Sequence, residues 1–383
     1  MASYRWYVGD LRTGKITREI DLIDYSWSAP FDDAGSLSGS FPLASGEWPN
    51  ARSDSAPAKQ FLAVAYTDPS GVERFLNGGP IWTTKYDDAT AKLTIGAAGL
   101  GSYFDHRKVM KVLLARQNPA ESTVTYTGAQ LGLIAKRLIE LAQSHTGGNL
   151  PIVLPSDAEL GGAGSTHTRT YPGYELGSIG DRVKQLTEVR GGPEVQFVPR
   201  RRGDDPRYIE WVMRVGTANN DMMLTQQGPA WVFDRTVPKS PIASISVDSD
   251  GSAMASRAWA AGQGEGEGRP IVYANDPTLT NAGWPLLEAE QSSTDTVSED
   301  TTLADYTAEL LATSARPIET WAMTVDVNGT PNLGQYATGD WMTVRVKSHP
   351  FLPEGDYSMR ALNLSGDTSD FVTVNLSPRL GGI

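Results

Sequence analysis

Along the first hundred residues, apolar side chains recur at every second position in short runs broken by turns. This period limits the fold more than any other feature of the chain. Alternation of that kind puts one face of an extended segment into a core and the other into water. Lys15–Ile20, Asp24–Ser28 and Ser36–Leu43 show that period; Tyr4–Val8 alternates poorly but is aromatic and β-branched, and Phe61–Tyr66, Glu73–Leu76, Gly79–Tyr86 and Ala91–Ile95 complete the set of short strands. Ile16 and Ile20 share one face, as do Tyr25 and Trp27. Turn-forming clusters separate them at Gly9–Gly14, Ala29–Gly35, Asp68-Pro-Ser-Gly71 and Asp87-Asp88. Short strands spaced roughly ten residues apart predict a sandwich or a barrel.

Near residue 106 the period changes. Leu131, Ile134, Ala135, Leu138, Leu141 and Ala142 fall at helical spacing after Thr127-Gly-Ala-Gln130, which has the form of a capping box, and Gly147-Gly148 supplies a stop. A second helix is predicted from Ser178, with Asp181 three residues on, a stripe of Ile179, Val183, Leu186 and Val189, and an end at Gly191-Gly192. Gly161–Ser165 reads as a flexible loop between the two. A hairpin follows, made of Pro193–Val198, the charged turn Arg200–Asp205 and Arg207–Val215, so the middle region is α+β.

Strands return from about residue 238, at Ile242–Val247, Met254–Ala260 and Pro270–Tyr273. Ala289–Asp300, rich in Ser, Thr and Asp, reads as a solvated loop. Thr302 is expected to cap a third helix whose Leu303, Tyr306, Leu310 and Leu311 face the core, and which Pro317 forbids to continue. Glu319–Val327, Gly339–Val346, Gly355–Leu362 and Asp370–Leu376 complete an all-β C-terminal part. No short tandem repeat marks a solenoid.

Composition narrows the function classes. At 383 residues the chain is long enough for two or three domains. With 33 basic and 45 acidic residues its net charge is −12, which argues against a general phosphate-binding surface. The absence of cysteine excludes disulfides, thiolate metal sites and a cysteine nucleophile. The start, Met1–Trp6, lacks the pattern of a signal peptide, and no apolar run approaches the roughly 18 residues of a membrane span.

Catalytic spacing is scarce. His106, His145, His167 and His349 are scattered, with no His-x-x-x-His pair, and there is no Gly-x-Ser-x-Gly elbow. Gly262-Gln-Gly-Glu-Gly-Glu-Gly268 lacks the Lys-Ser/Thr ending of a phosphate loop, and its two glutamates would repel an anion, so it reads as a bulge or tight turn. The paired carboxylates Asp32-Asp33, Asp87-Asp88, Asp204-Asp205 and Glu265/Glu267 sit in turn-like sequence, where local backbone bonding is their ordinary role. Asp248-Ser-Asp-Gly251 opens like a calcium loop without its later ligands. Arg200-Arg-Arg202 is flanked by Asp204 and Asp205, as expected of a solvated or interface charge cluster. No catalytic residue, metal site or cofactor is expected, and the chain is read as not an enzyme.

Three stretches carry a resemblance. They are Thr13-Gly-Lys-Ile-Thr17 through Tyr25-Ser-Trp-Ser28 to Gly35-Ser-Leu-Ser-Gly-Ser-Phe-Pro-Leu43, the loop Trp259-Ala-Ala-Gly-Gln-Gly-Glu-Gly-Glu-Gly-Arg269, and the helix and strands from Leu303 to Leu376 with their Gly-Asp-x-x-x-Val strand at Gly339. Together they are similar to minor tail proteins of long-tailed phages, the baseplate-hub or tail-tip type common in phages of actinobacteria.

That resemblance implies a mainly β chain with an α+β insertion. Two tail-tube-like β-barrels, residues 1–105 (completed by 207–237) and 238–383 (with a helix near 302–315), would flank an α+β domain at 106–206. It implies a structural virion protein, a homotrimeric hub made in the host cytoplasm that joins tail tube to tip and surrounds the DNA exit channel. Its partners would be itself, a tail-tube or distal tail protein, the tape measure protein and other tail-tip or receptor-binding proteins, with DNA only passing through the lumen. Relatives that carry a peptidase or glycan-degrading domain carry it after the second barrel, and this chain is expected to have no room for one before Ile383. An acidic lumen would repel exiting DNA. Gly262, Gly264, Glu265, Gly266, Glu267, Gly268 and Arg269 in the loop, with Arg200, Arg201 and Arg202 at the hairpin tip, are the expected interface residues. The alternative from another class is a receptor- or wall-glycan-binding tip protein that uses exposed Trp and Tyr.

Overall fold

The computed structural model describes residues 3–43, 46–161, 166–189, 192–291 and 300–378. The chain is mainly β, with 43% strand and 19% helix, and divides into two compact units, residues 1–245 with 322–383 and residues 246–321.

The larger unit opens with seven strands. They are β1 (Ser3–Asp10), β2 (Ile16–Ile20), β3 (Ile23–Pro30), β4 (Ser36–Pro42), β5 (Gln60–Thr67), β6 (Glu73–Asp87) and β7 (Lys92–Ala98), with the short helix α1 (Ala51–Asp54) before β5. All pair antiparallel, in the order β3-β4-β7-β6-β5-β1-β2. β5 lies inside the sheet, between β6 and β1, and its apolar run from Phe61 to Tyr66 is buried on both faces. Two expected strands, Glu73–Leu76 and Gly79–Tyr86, are one. β6 pairs with β5 along its first half and with β7 along its second. The Gly78-Gly79 step makes no turn. A Cβ on Gly79 would stand 2.3 Å from the Ala98 carbonyl oxygen, so glycine is there for a close backbone approach.

The middle region holds β8 (Thr123–Ala129), α2 (Leu131–Ser144), β9 (Ile152–Val153), α3 (Asp157–Leu160), β10 (His167–Pro172), α4 (Ile179–Thr187), β11 (Val195–Arg201) and β12 (Ile209–Val215). The expected stripes of α2 and α4 form its core. Leu131, Ile134, Ala135, Leu138, Ile179 and Leu186 are buried together. Ser178 caps α4, its Oγ accepting from the Asp181 N–H at 3.0 Å. The capping box expected at Thr127 is corrected: Thr127 lies in β8, paired with β10, and Gln130 stands at the α2 N-cap without a side-chain cap bond. Thr127 and Gly128 stand at an irregularity of that ladder, between the paired Tyr126 and Ala129, with Gly128 at a φ of +62°. Gly162–Ser165 of the expected loop, and Gly191 of the expected stop, lie outside the described residues. The β11–β12 hairpin packs on the first sheet, where Ile209 and Trp211 join Tyr7, Phe61, Ala63 and Leu100, and Trp211 Nε1 donates to the Gly78 carbonyl at 2.8 Å.

β13 (Trp231–Asp234) precedes β14 (Ile242–Asp250), the strand that leads out of the larger unit. The smaller unit is a three-stranded sheet of β15 (Arg257–Ala261), β16 (Ile271–Asn275) and β17 (Glu288–Gln291), with a short α5 (Thr278–Asn281) and the helix α6 (Asp300–Ser314) packed on β15 and β16. β17 corrects the start of the expected loop at Ala289; residues 292–299 of that loop lie outside the described residues. The side chain of Thr302, the expected cap, is outside them too. Leu303, Thr307 and Leu311 are buried, one turn apart, while Tyr306 is exposed, which corrects its expected core position.

The chain re-enters the larger unit along β18 (Ile318–Asp326) and ends in β19 (Trp341–Val346), β20 (Gly355–Asp367) and β21 (Phe371–Pro378). β20 pairs with β19 and β21, and its second half pairs with β3, so the last strands continue the first sheet. Among the described residues no sheet closes on itself.

Candidate interaction surfaces

The hairpin tip is less free than its run of cations suggests. Arg200 and Arg201 end β11, and Arg202 follows. Arg200 Nε donates to Glu210 at 2.8 Å across the hairpin. Arg201 Nε donates to Glu73 at 2.9 Å, and its guanidinium stands 4.6 Å from the Tyr7 ring centroid. Arg202 Nε donates to Asp204 at 2.6 Å, 4.4 Å from the Tyr208 ring centroid. Burial pushes the Glu73 carboxyl up, but Arg201 and the Tyr7 hydroxyl outweigh it and hold it below its ordinary value. Asp205 is held down to about 2 by hydrogen bonds from Arg207. The three arginines are therefore matched by carboxylates of the same chain.

The glycine loop belongs to the smaller unit and joins β15 to β16. Gly264 and Gly266 adopt φ of +145° and +58°, which favour glycine. Arg269 closes the loop, its Nε donating to the Gly262 carbonyl at 2.8 Å. Gln263 to Gly268 are exposed, Glu265 and Glu267 among them. On the β15–β16 sheet, Trp259 and the exposed Tyr273 lie 5.1 Å apart.

Two clefts flank β11 in the larger unit. The larger, about 590 Å³, has Phe31, Phe104, Val183 and Phe197 in its wall. Its carboxylates include the exposed Asp32, Asp33, Asp181 and Glu188, faced by Lys184. Burial and then Asp181 push the Asp105 carboxyl there above its ordinary value. The other cleft, about 440 Å³, is lined by Arg74, Arg200, Arg201 and Arg214, and burial pulls the Arg214 guanidinium below its ordinary value.

Sequence reasoning missed a basic segment. From His106 to Ala120 the chain has four cations and no carboxylate. Arg107 donates to the Tyr103 hydroxyl at 2.7 Å, but Lys108, Lys111 and Arg116 make no ion pair among the described residues. Val112 and Leu114 are 55% and 79% exposed beside them. The gap in acidic residues, in a chain with 45 of them, was the available signal.

The histidines are apart. His106 stacks on Trp82 at 4.5 Å, His145 Nε2 lies 2.8 Å from the Met110 carbonyl, and His349 Nδ1 accepts from the Leu352 N–H at 3.0 Å. Among the described residues no group of three or more His, Asp or Glu is arranged to hold a metal. Asp87 and Asp250 accept from the N–H groups of Ala89 and Ser252, as turn residues do. No helix there is long and apolar enough to cross a membrane.

No known family profile and no curated protein matches the sequence. Solved structures do match its fold. The tail protein from Neisseria meningitidis MC58 aligns with a TM-score of 0.59 at 15% identity, over 98% of this chain and 97% of that one. The 43 kDa tail protein of prophage MuSo2 from Shewanella oneidensis gives 0.55 at 11% identity, over 99% and 98%. A chain of the Francisella PdpA–VgrG complex gives 0.53 at 7% identity, over 100% of this chain and 59% of that one. At these identities the likeness is one of fold.

Proposed function

We propose that this chain is a structural, non-enzymatic subunit of a phage tail tip: a homotrimeric baseplate hub that joins the tail tube to the tip and surrounds the DNA exit channel. The observation that carries this reading is the end-to-end likeness to the Neisseria tail protein, in which nearly the whole of each chain aligns. A shared excursion or one shared sheet would align only part. The expected two tube-like barrels, residues 1–105 and 238–383 around 106–206, belong to the proposal, as does location in the virion. So do the partners, a tail-tube or distal tail protein, the tape measure and other tip proteins. Net charge −12 suits a lumen that DNA passes without adhering.

Light scattering at several concentrations, with negative-stain images of the same sample, tests it. A species near 124 kDa, three times 41.3 kDa, seen as a ring with a duplex-wide hole, is expected. A protein that stays monomeric alone and also when mixed with purified tail tubes overturns the reading.

A second reading, binding of wall glycan at the tail tip, has one observation in its favour, the Trp259–Tyr273 pair on the β15–β16 sheet. Pull-down by host wall fragments that Trp259→Ala abolishes supports it; equal retention of both proteins removes it.

A further inference from the structure

We infer that the segment Lys111–Arg116 docks into the acidic cleft of a second copy of this chain, a head-to-tail contact on which the subunits assemble. The inference rests on the reading above that the chain is a self-assembling tail subunit, and adds to it which two surfaces meet.

The segment is built to present itself. Before it, Val109 and Met110 are buried, the Val109 N–H donates to the Gly177 carbonyl at 2.9 Å, and the Ile179 N–H donates to the Arg107 carbonyl at 2.7 Å. After it, a turn closes locally: the Gln117 N–H donates to the Leu114 carbonyl at 3.1 Å, and Arg116 takes a φ of +69°. Between these anchors Lys111, Val112, Leu114, Ala115 and Arg116 are exposed. A leucine 79% exposed between cations that make no ion pair among the described residues is costly to leave in water, and burial against an acidic, partly apolar surface would satisfy both.

The cleft is the complement. Its five exposed carboxylates, Asp32, Asp33, Asp105, Asp181 and Glu188, stand beside Phe31, Phe104 and Phe197, with Lys184 as the cation among them. Its volume of about 590 Å³ is that of a site for a few side chains. None of residues 111–116 lines it within one copy. The partner's charge also fits. The net charge of −12 already counts the segment's four neighbouring cations, so the remainder of each chain carries −16. Because the two patches differ, the contact is heterologous, and it closes a ring where the rotation between copies allows.

Sedimentation velocity of the full chain over a range of concentrations tests this with charge-swapped variants. Lys111→Glu with Arg116→Glu on one side, and Asp32→Lys with Glu188→Lys on the other, change exposed side chains, and thermal melts confirm that each variant folds. Each pair is expected to weaken assembly at least tenfold, and all four together to restore it to near the wild-type constant. The inference is overturned if the wild type does not self-associate, if neither pair weakens assembly, or if the fourfold variant assembles no better than the weaker pair. Assembly that needs Lys111 but yields particles without a central hole upholds the contact and sinks the hub. A holed ring indifferent to both pairs does the reverse.

Discussion

Asp68, in the turn between β5 and β6, accepts from the Ser70 N–H at 2.9 Å, the Val72 N–H at 3.0 Å and Arg74 Nη1 at 2.8 Å. The Ser70 hydroxyl, then Arg74 and the Val72 N–H, hold its carboxyl well below the usual carboxylate range. A depressed folded-state value means that the ionised group stabilises the fold above its unfolded value of about 4, and that this contribution is lost as pH falls through the folded value. Asp68→Asn is therefore expected to destabilise at pH 7, with the gap to wild type narrowing below about pH 4. Urea midpoints at pH 7 and pH 3 check it; a constant gap contradicts it.

A second residue-scale case is Glu194, whose carboxylate meets Arg360 Nη1 and Nη2 and accepts from the Leu224 N–H at 2.8 Å. Arg360 Nε in turn donates to the Gly339 carbonyl at 3.0 Å. Both partners are largely buried. Arg360→Ala leaves the carboxylate and the carbonyl unmatched, and a loss of about 3–5 kcal/mol is expected in denaturant unfolding. The Glu194–Arg360 pair was not legible in the sequence, because 166 residues separate the two. Arg200–Arg202 taught the opposite lesson: visible as a cluster, they are matched by Glu210, Glu73 and Asp204, of which Asp204 alone is adjacent in sequence.

At the scale of elements, periodicity served well where one face is buried and the pairing partner is near. The strands from β1 to β5 and the stripes of α2 and α4 emerge as read, and Ser178 caps α4 as its spacing to Asp181 requires. It served poorly where a neighbour decides. Thr127 has the residue types of a cap, yet it lies inside β8, at the break in register where that strand pairs with β10. In α6, Leu303 and Leu311 are buried and Tyr306 is exposed, although all three fit a loose helical stripe. Leu303→Ala is accordingly expected to cost about 2–5 kcal/mol, and Tyr306→Ala within about 0.5 kcal/mol of nothing. Thermal melts of the two variants decide, and equal losses would place Tyr306 in the core after all.

For the whole molecule, the sequence showed a β, α+β, β order but not which strands pair. β3 and β20 are joined by residues such as Pro30 and Asn363, and no local pattern encodes a ladder of that span. The proposed assembly brings a prediction that belongs to this scale. Contacts between a basic segment and an acidic cleft weaken as the screening length falls from about 10 Å at 0.1 M salt to about 3 Å at 1 M. The sedimentation constant of the assembled species is expected to fall toward that of the monomer across this range. An assembly that strengthens with salt would instead point to a purely apolar interface.

The pairing of β3 with β20 also sets a timetable for synthesis. β3 leaves the ribosome early, and its partner follows some 330 residues later. At about 5–20 residues per second, that is a wait of roughly 20–70 s with one strand edge unclaimed. Nascent neighbours on the same message carry the identical edge, and edge-to-edge pairing between them is the route to aggregation that such a delay opens. Slower initiation, which spaces the ribosomes, is the remedy that this topology calls for in expression.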